Sequence, residues 1–264
     1  MQTERKITSR SSSHSIGLER LRVCPIRHCF RKEMVMSLLL AVLPSALLAV
    51  YIYRKDTIEK EPLSMLWGLF WTGTLTVVSA IVIGGLGEAL FEDIVEPDSM
   101  EWLLIDNFLL TALVEEGGKY FVLKKKTWNS PEFNYLFDAI VYAVVVSLGF
   151  ATVENILYVI DSDIETAIMR AIFSVPGHAI DGVFMGYFYG LAKRCDIAGK
   201  RGACRRNLRR ALWVPVLIHG FYDLCLSAGD ETFIIIFFVF EIIVTVWAFR
   251  TVRKLSREDA PVSS

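Results

Sequence analysis

The chain has 264 residues, of which 53% are hydrophobic and 22% are charged, and its formal net charge is −1. Soluble domains contain about 45–50% apolar and about 25% charged residues, and the apolar excess here lies in long blocks, which indicates a polytopic membrane protein. The balanced charge excludes a basic nucleic-acid-binding footprint on the whole chain, and the apolar content excludes a chain that is disordered throughout.

Seven apolar blocks are long enough to cross a bilayer, which takes about 20 residues in a helix. The predicted fold is therefore an all-α, polytopic transmembrane helix bundle, because helices satisfy their own backbone polar groups in lipid. The first, second and seventh blocks are plain apolar anchors, whereas the third to sixth carry polar residues in mid-span. The predicted spans are 34–53, 64–86, 102–123, 138–160, 166–191, 211–229 and 232–249.

Basic and acidic connecting segments alternate along the chain. Segments 87–101 and 161–165 contain acids and no Lys or Arg. The segments rich in Lys and Arg are 54–63, 124–137, 192–210 and the tail 251–264 with its neighbour Arg250. By the positive-inside rule these basic segments are cytoplasmic, and so is the C-terminus.

Residues 1–33 break this alternation. With seven spans they lie on the outer side, yet they carry eight Lys or Arg residues. They are Ser-rich at 9–13 and lack apolar periodicity, so we predict a disordered basic extension. Either the first span is re-entrant, or the natural protein starts at Met34 or Met36. We favour the second interpretation, a mis-assigned start.

Ionisable residues inside the third to sixth spans need an explanation, since each costs about 2.5–3.5 kcal/mol at mid-bilayer. Lys119 follows Glu115 by four residues and Glu116 by three, so it can meet either carboxylate on one helix face. His219 and Asp223 have the same four-residue spacing. The polar groups, in chain order, are Glu115, Glu116 and Lys119, Glu154 and Asn155, His178 and Asp181, and His219 and Asp223.

Backbone-perturbing residues accompany these groups. Gly117 and Gly118 follow the paired glutamates, Pro176 precedes His178, and Pro215 precedes His219 by four residues. Helix breaks in membranes are tolerated where protein or a water-filled cavity satisfies the freed groups. The sequence therefore predicts a hydrated pocket among spans three to six.

Two further expectations concern position along the helices. Glu154 is expected nearer the outer leaflet than Glu115, His178 and His219. Of the candidate site residues, its depth in the membrane therefore agrees least with that of the others. The glycines of the fifth span recur every fourth residue and are expected to form a ridge against which another helix packs closely. They are Gly182, Gly186 and Gly190.

Structural explanations exist for each polar group taken alone. The glutamates and Lys119 can form an ion pair, His178 can be a packing residue, and His219 with Asp223 can clamp two helices. Taken as a set, the carboxylates and imidazoles suit a divalent metal or a carboxylate-activated water, and hence peptide hydrolysis. HExxH and Gly-x-Ser-Gly motifs are missing from the sequence.

Four ordered motifs resemble the PrsW family, a bacterial family of intramembrane metalloproteases. The resemblance runs from about Met36 to Arg250 and includes the segment 51–62. The motifs are Glu115-Glu116-Gly-Gly-Lys119, the string from Phe137 to Tyr158, the string from Arg170 to Gly190, and Pro215-Val-Leu-Ile-His-Gly-Phe-Tyr-Asp223. The resemblance implies an intramembrane protease domain over 34–250 in the bacterial cytoplasmic membrane.

PrsW proteins are similar to type II CAAX prenyl proteases, which implies a CAAX-protease-like core. The resemblance makes Glu115 the general base, with Glu116 orienting it or pairing with Lys119, and puts Asp223 where relatives have an oxyanion-stabilising Asn. Glu154 stands where the relatives' FxxxH motif has His, and Lys119 falls one residue before their Arg. The implied Zn²⁺ ligands are Glu154, His178 and His219, with metal-free glutamate catalysis as the alternative.

The family resemblance also implies a substrate and leaves alternatives open. PrsW is implied to make the first cut in a single-span anti-sigma factor during envelope stress. The alternatives are an ion or metal transporter, a CAAX-type prenyl-protein protease, or a non-enzymatic scaffold. Intramembrane Glu and His also mark ion paths, but the chain shows no internal inverted repeat of the kind typical of transporters.

Overall fold

The computed structural model describes residues 26–91, 93–97, 99–160 and 162–263, with side chains described from Met34 onward. These residues form seven helices, and their one β-type contact is an isolated bridge between Tyr135 and Pro261. The all-α prediction is confirmed. Residues 26–33, which we expected to be disordered, are helical. Residues 1–25 lie outside the described part of the chain, so the disordered basic extension stays a prediction there.

The helices follow one another through short connections, and we number them in chain order. They are α1 (Ile26–Lys55), α2 (Leu63–Phe91), α3 (Met100–Leu104, Ile105–Ala112 and Leu113–Thr127 in succession), α4 (Asp138–Ile160), α5 (Ile164–Met169, Arg170–Ser174 and Val175–Ile197 in succession), α6 (Arg201–Ser227) and α7 (Glu231–Arg257).

Four of the described helices are long and apolar enough to cross a membrane by themselves. They are Met34–Lys55, Leu63–Phe91, Asp138–Ile160 and Glu231–Arg257. The remaining three, α3, α5 and α6, carry most of the intramembrane charges identified in the sequence, which lowers their mean hydropathy. The fold is a helical membrane bundle, while the full count of seven spans stays a prediction.

Helix α4 is the centre of the bundle. Every side chain from Ala139 to Val144 is fully buried, and α4 packs against α1, α2, α3 and α5. The anchor helices instead expose large apolar side chains such as Trp71, Leu75 and Ile242. A helix that is apolar all round is either buried in protein or surrounded by lipid. Helix α4 is of the first kind, and the anchor helices are of the second.

Glycines allow two of these packing contacts to bring backbones together. A Cβ on Gly149 of α4 would lie 2.2 Å from the carbonyl oxygen of Phe70, and one on Gly73 of α2 would lie 2.2 Å from that of Val146. Helices α2 and α4 therefore cross with their backbones in contact, as small residues permit in membranes.

The predicted glycine ridge of α5 is confirmed. A Cβ on Gly182 would lie 2.8 Å from Cα of Val144, and one on Gly186 would lie 2.5 Å from the carbonyl oxygen of Ala139. Gly190 is nearly as tight against Leu136. The ridge thus fixes the distance and the rotation of α5 against α4.

We expect Gly149→Ala to lower the free energy of unfolding by about 1–3 kcal/mol, because the added methyl group must push α2 away from α4. Gly68→Ala is the matched control, since a Cβ on Gly68 would have nothing within 4 Å. Unfolding in mixed detergent, followed by tryptophan fluorescence, measures both variants. Equal midpoints for the two would contradict close backbone contact at the α2–α4 crossing.

Two π-helical segments interrupt the helices just before candidate site residues. Ile105–Ala112 precedes Glu115 in α3, and Arg170–Ser174 precedes His178 in α5. Pro176, which lacks a backbone N–H, lies two residues after the end of the second segment. A π-turn changes the rotation of everything that follows it and is frequent at functional sites, so these segments set the direction in which Glu115 and His178 project.

Candidate active site

Four buried side chains from three helices meet inside the bundle. Glu115 and Glu116 come from α3, His178 from α5 and His219 from α6, and one ligand atom of each lies within 4.8 Å of all the others. Their exposed fractions range from 0% to 8%. Glutamate and histidine are common zinc ligands, so this cluster could hold a metal ion.

Lys119 places its ammonium group among these ligand atoms. Its Nζ lies 2.6 Å from Oε1 of Glu116, 3.5 Å from Oε2 of Glu115 and 3.2 Å from Nδ1 of His178. The side chain is fully buried, and Nζ lies 4.0 Å from the centre of the Phe150 ring. The predicted pairing of Lys119 with the two glutamates is therefore present in the fold, with Glu116 as the closer partner.

The hydrogen bonds of His178 define its tautomer. Lys119 can only donate, so Nδ1 of His178 accepts, and Nε2–H donates to Oε2 of Glu154 at 2.8 Å. Glu154 also pairs with Arg170 at 2.8 Å. Despite its expected shallower depth, Glu154 thus reaches the site, but it contacts His178 and is outside the four-residue cluster.

His219 has a carboxylate on each ring nitrogen. Its Nδ1 lies 3.0 Å from Oε1 of Glu116, and its Nε2 lies 3.1 Å from Oδ2 of Asp223. Carboxylates accept when ionised, so this is the geometry of an imidazolium that donates from both nitrogens. Asp223 is an acceptor here and orients the ring of His219.

Asp181 and Arg170 are site residues to which we assigned no role from the sequence. Oδ2 of Asp181 lies 3.7 Å from Nδ1 of His219, and its other carboxylate oxygen is buried without a hydrogen-bond partner. Asp181 follows His178 by three residues, and this helical spacing is the signal that could have identified it. Arg170 lies in a predicted span as an intramembrane cation, which is an equally direct signal.

A cavity of about 440 Å³ opens beside this cluster. At about 30 Å³ per water molecule it has room for on the order of ten. Glu115, Glu154, His178, His219 and Asp223 all line it, whereas Glu116 and Lys119 lie behind its wall. Residues of α3, α4, α5 and α6 contribute to the lining, so the predicted pocket among spans three to six is present.

Glu115 differs from its neighbour in what its carboxylate contacts. Its Oε2 is buried beside the cavity and has no hydrogen-bond partner. Oε1 of Glu116, in contrast, accepts from both Lys119 and His219. The geometry therefore leaves Glu115 available to a bound molecule and uses Glu116 to hold cationic side chains.

The carboxylate and imidazole groups of the four-residue cluster are of the types that bind a metal ion such as zinc. The Oε2 atoms of Glu115 and Glu116 accept no hydrogen bond and could serve as ligands, although that of Glu115 lies 3.5 Å from the Lys119 ammonium. Each imidazole nitrogen of His178 and His219, however, already contacts Lys119 or a carboxylate. Binding through histidine thus requires the Lys119 ammonium or a carboxylate partner to move aside.

The chain is similar in sequence to a family of known proteins. The model of the PrsW family intramembrane metalloproteases matches residues 61–249. Protease PrsW of Oceanobacillus iheyensis is 35% identical over 213 residues, which cover 81% of this chain and 93% of the relative. Those of Geobacillus kaustophilus (40% over 190 residues, 72% and 79% covered) and Bacillus subtilis (33% over 210 residues, 79% and 89% covered) are also similar. No solved structure matches the chain significantly.

Proposed function

The chain belongs to the PrsW family of intramembrane metalloproteases, and we propose that it cleaves a single-span membrane protein by water attack with Glu115 as the general base. As a member of this family it is a multi-pass membrane protease with protein substrates. The observation that carries the proposal is the buried Oε2 of Glu115, which accepts no hydrogen bond and lies at the wall of a cavity large enough for water and a peptide segment.

In the proposed reaction the water oxygen bonds to the peptide carbonyl carbon, and Glu115 accepts the proton that the water loses. The same carboxyl group then returns the proton to the leaving amine as the C–N bond breaks. In the metal-free alternative, the imidazolium of His219, whose Nε2 lies 3.8 Å from Oε2 of Glu115, faces the negative charge that develops on the substrate oxygen. Asp223 and Glu116 orient this ring from either side.

The proposed metal is Zn²⁺, held by His178 and His219 with glutamate oxygens from the cluster. When bound, zinc acts as a Lewis acid that activates water and polarises a carbonyl oxygen. Glu154 then becomes the carboxylate that orients His178 through Nε2–H, as carboxylates commonly do for ligating histidines. In metal-free glutamate catalysis, the ammonium of Lys119 supplies positive charge 3.5 Å from Glu115.

The substrate that the family resemblance suggests is a membrane-spanning anti-sigma factor in envelope-stress signalling. A single-span substrate fits an active site that three helices build inside the membrane. In the proposed topology all seven helices cross the bacterial cytoplasmic membrane, with the basic segments and the C-terminus in the cytoplasm. A reporter enzyme that works only in the periplasm should be inactive when it is fused after Ser264. Activity of this fusion would contradict the proposed orientation.

The test uses the full chain reconstituted in liposomes with a tagged anti-sigma factor. We expect cleavage within the membrane-spanning part of the substrate, located by mass spectrometry of both fragments. Loss of activity with a zinc chelator, and recovery with Zn²⁺, supports the metal. Unchanged activity in the chelator with no bound metal supports glutamate catalysis alone. Metal uptake into the liposomes without any cleavage would contradict the proposed function and favour a transporter.

A further inference from the structure

A second group of buried carboxylates lies away from the active site. Asp56 and Glu61 come from the α1–α2 connection and Asp138 from the start of α4, and one oxygen of each lies within 4.8 Å of the other two. Their exposed fractions are 1%, 4% and 1%. At about 1.5 Å per residue, α4 separates Asp138 from Glu154 by about 24 Å, so the two groups are independent.

The three carboxylates differ in their hydrogen bonds. The hydroxyl group of Tyr142 donates to Oε2 of Glu61 at 2.7 Å. The backbone N–H groups of Asn134 and Tyr135 donate to Oδ2 of Asp138 at 3.0 and 2.7 Å. Asp56 is different, because both of its carboxylate oxygens are buried without a hydrogen-bond partner.

The cation nearest in sequence to the cluster is Lys60, and it hydrogen-bonds to backbone oxygens instead of a carboxylate. The ammonium group of Lys60 donates to the backbone carbonyl oxygens of Tyr53 and Asp56, and its side chain is exposed. Burial is the main reason that the pKa of Asp56 is raised to about 6; the ammonium group of Lys60 lowers it, and the carboxylates of Asp259 and Glu59 contribute to the rise. Burial also raises the pKa of Glu61. When its three carboxyl groups are ionised, the cluster has a negative charge that the single ammonium group of Lys60 does not balance.

We propose that Asp56, Glu61 and Asp138 bind a hard divalent cation, Mg²⁺ or Ca²⁺, that fastens the α1–α2 connection to the start of α4. All the ligand atoms are oxygens, which these two ions prefer over nitrogen and sulfur. Oxygens on opposite sides of such an ion lie about 4–5 Å apart, given bond lengths of about 2.0–2.6 Å. The separation of at most 4.8 Å within the cluster fits this range.

The cation would reinforce a corner of the bundle that is otherwise held by single hydrogen bonds. The hydroxyl group of Ser256 donates to the carbonyl oxygen of Lys55, and that of Thr57 donates to the carbonyl oxygen of Ser256. The carboxylate of Asp259 accepts from the N–H of Phe137. Bound metal joins two of these three segments, the α1–α2 connection and the start of α4, through the buried carboxylates. Its effect is therefore on stability and on protection of the connection.

The experiment measures thermal unfolding of the full chain in detergent by tryptophan fluorescence, first in EDTA and then with added MgCl₂ or CaCl₂. At a concentration about 100 times the dissociation constant we expect the midpoint to rise by about 5 °C or more. Trypsin cleavage after Lys55 and Lys60 should slow over the same concentration range. A midpoint and a cleavage rate that respond to neither cation would overturn the proposal.

Variants separate this site from the active site. Asp56→Asn keeps the shape of the side chain but removes the uncompensated charge, so it should abolish the response and be at least as stable as the wild type in EDTA. Glu59→Gln removes an exposed charge from the same connection and should keep the response. His219→Ala should keep it too. A response lost in His219→Ala and retained in Asp56→Asn contradicts the proposal, and Glu61→Gln repeats the test if Asp56→Asn does not fold.

Discussion

Glu115→Gln is expected to slow cleavage of a single-span substrate by about 10²–10⁴-fold, the usual contribution of a positioned general base. Gln has nearly the shape of Glu but cannot accept the proton from water. Because Oε2 of Glu115 has no hydrogen-bond partner in the fold, the change breaks no hydrogen bond at that atom. The turnover rate in liposomes should therefore fall steeply. The thermal midpoint should fall only slightly, because Lys119 loses a charge at 3.5 Å but keeps its closer partner Glu116 at 2.6 Å.

Glu88→Gln provides the matched control for Glu115→Gln. Glu88 is an exposed carboxylate that lines the same cavity from α2 and makes none of the cluster contacts described above. Its replacement changes the charge of the cavity by the same amount and should leave the turnover rate near that of the wild type. Wild-type turnover in Glu115→Gln, or an equal loss in both variants, would exclude Glu115 as the base.

Lys119→Met is expected to lower the free energy of unfolding by about 3–5 kcal/mol, the range for removing one partner of a buried ion pair. Met fills a similar volume, so the loss is electrostatic. Without the ammonium group, Glu116 keeps only His219 as a cationic partner at Oε1, and Glu115 loses a positive charge at 3.5 Å. Unfolding in mixed detergent measures the difference.

Two further variants show whether the effect belongs to the pair. Lys126→Met removes an exposed lysine at the end of the same helix and should change the free energy of unfolding by less than about 0.5 kcal/mol. Adding Glu116→Gln to Lys119→Met removes the uncompensated carboxylate and should recover part of the loss. If Lys119→Met is as stable as Lys126→Met, the buried pair does not stabilise the fold, and its role is confined to catalysis.

Helix positions could be predicted closely from hydropathy. The predicted span 138–160 coincides with α4, and 64–86 and 232–249 lie within α2 and α7. The reason is that an apolar block must avoid water and must close its own backbone hydrogen bonds, and both requirements act on one helix at a time. The glycine ridge of α5 was also predictable, since the four-residue spacing of its glycines places them on one face of a single helix.

The site residues were predictable as a set but not in their pairings. The hydrogen bond between Lys119 and His178 joins residues 59 apart in the chain, and it depends on how α3 and α5 are rotated. The π-helical segments before Glu115 and His178 change that rotation, and the sequence offered only Pro176 as a sign of them. The contact between Glu154 and His178 was also unpredictable from the sequence. The depth of a residue along its own helix does not determine the position of its side-chain carboxylate relative to a neighbouring helix.

Composition is therefore sufficient to identify a helical membrane protein, and the intramembrane carboxylates and imidazoles name the residues of its site. The protease family followed from the resemblance of the four motifs and from the comparisons. Helical spacing alone does not distinguish Glu115, which lines the cavity, from Glu116, which is bonded to Lys119 and His219; only the family resemblance assigned them different roles. Adjacent residues point about 100° apart on a helix, and only the packing of the other helices around α3 decides which of the two meets water and which meets cations.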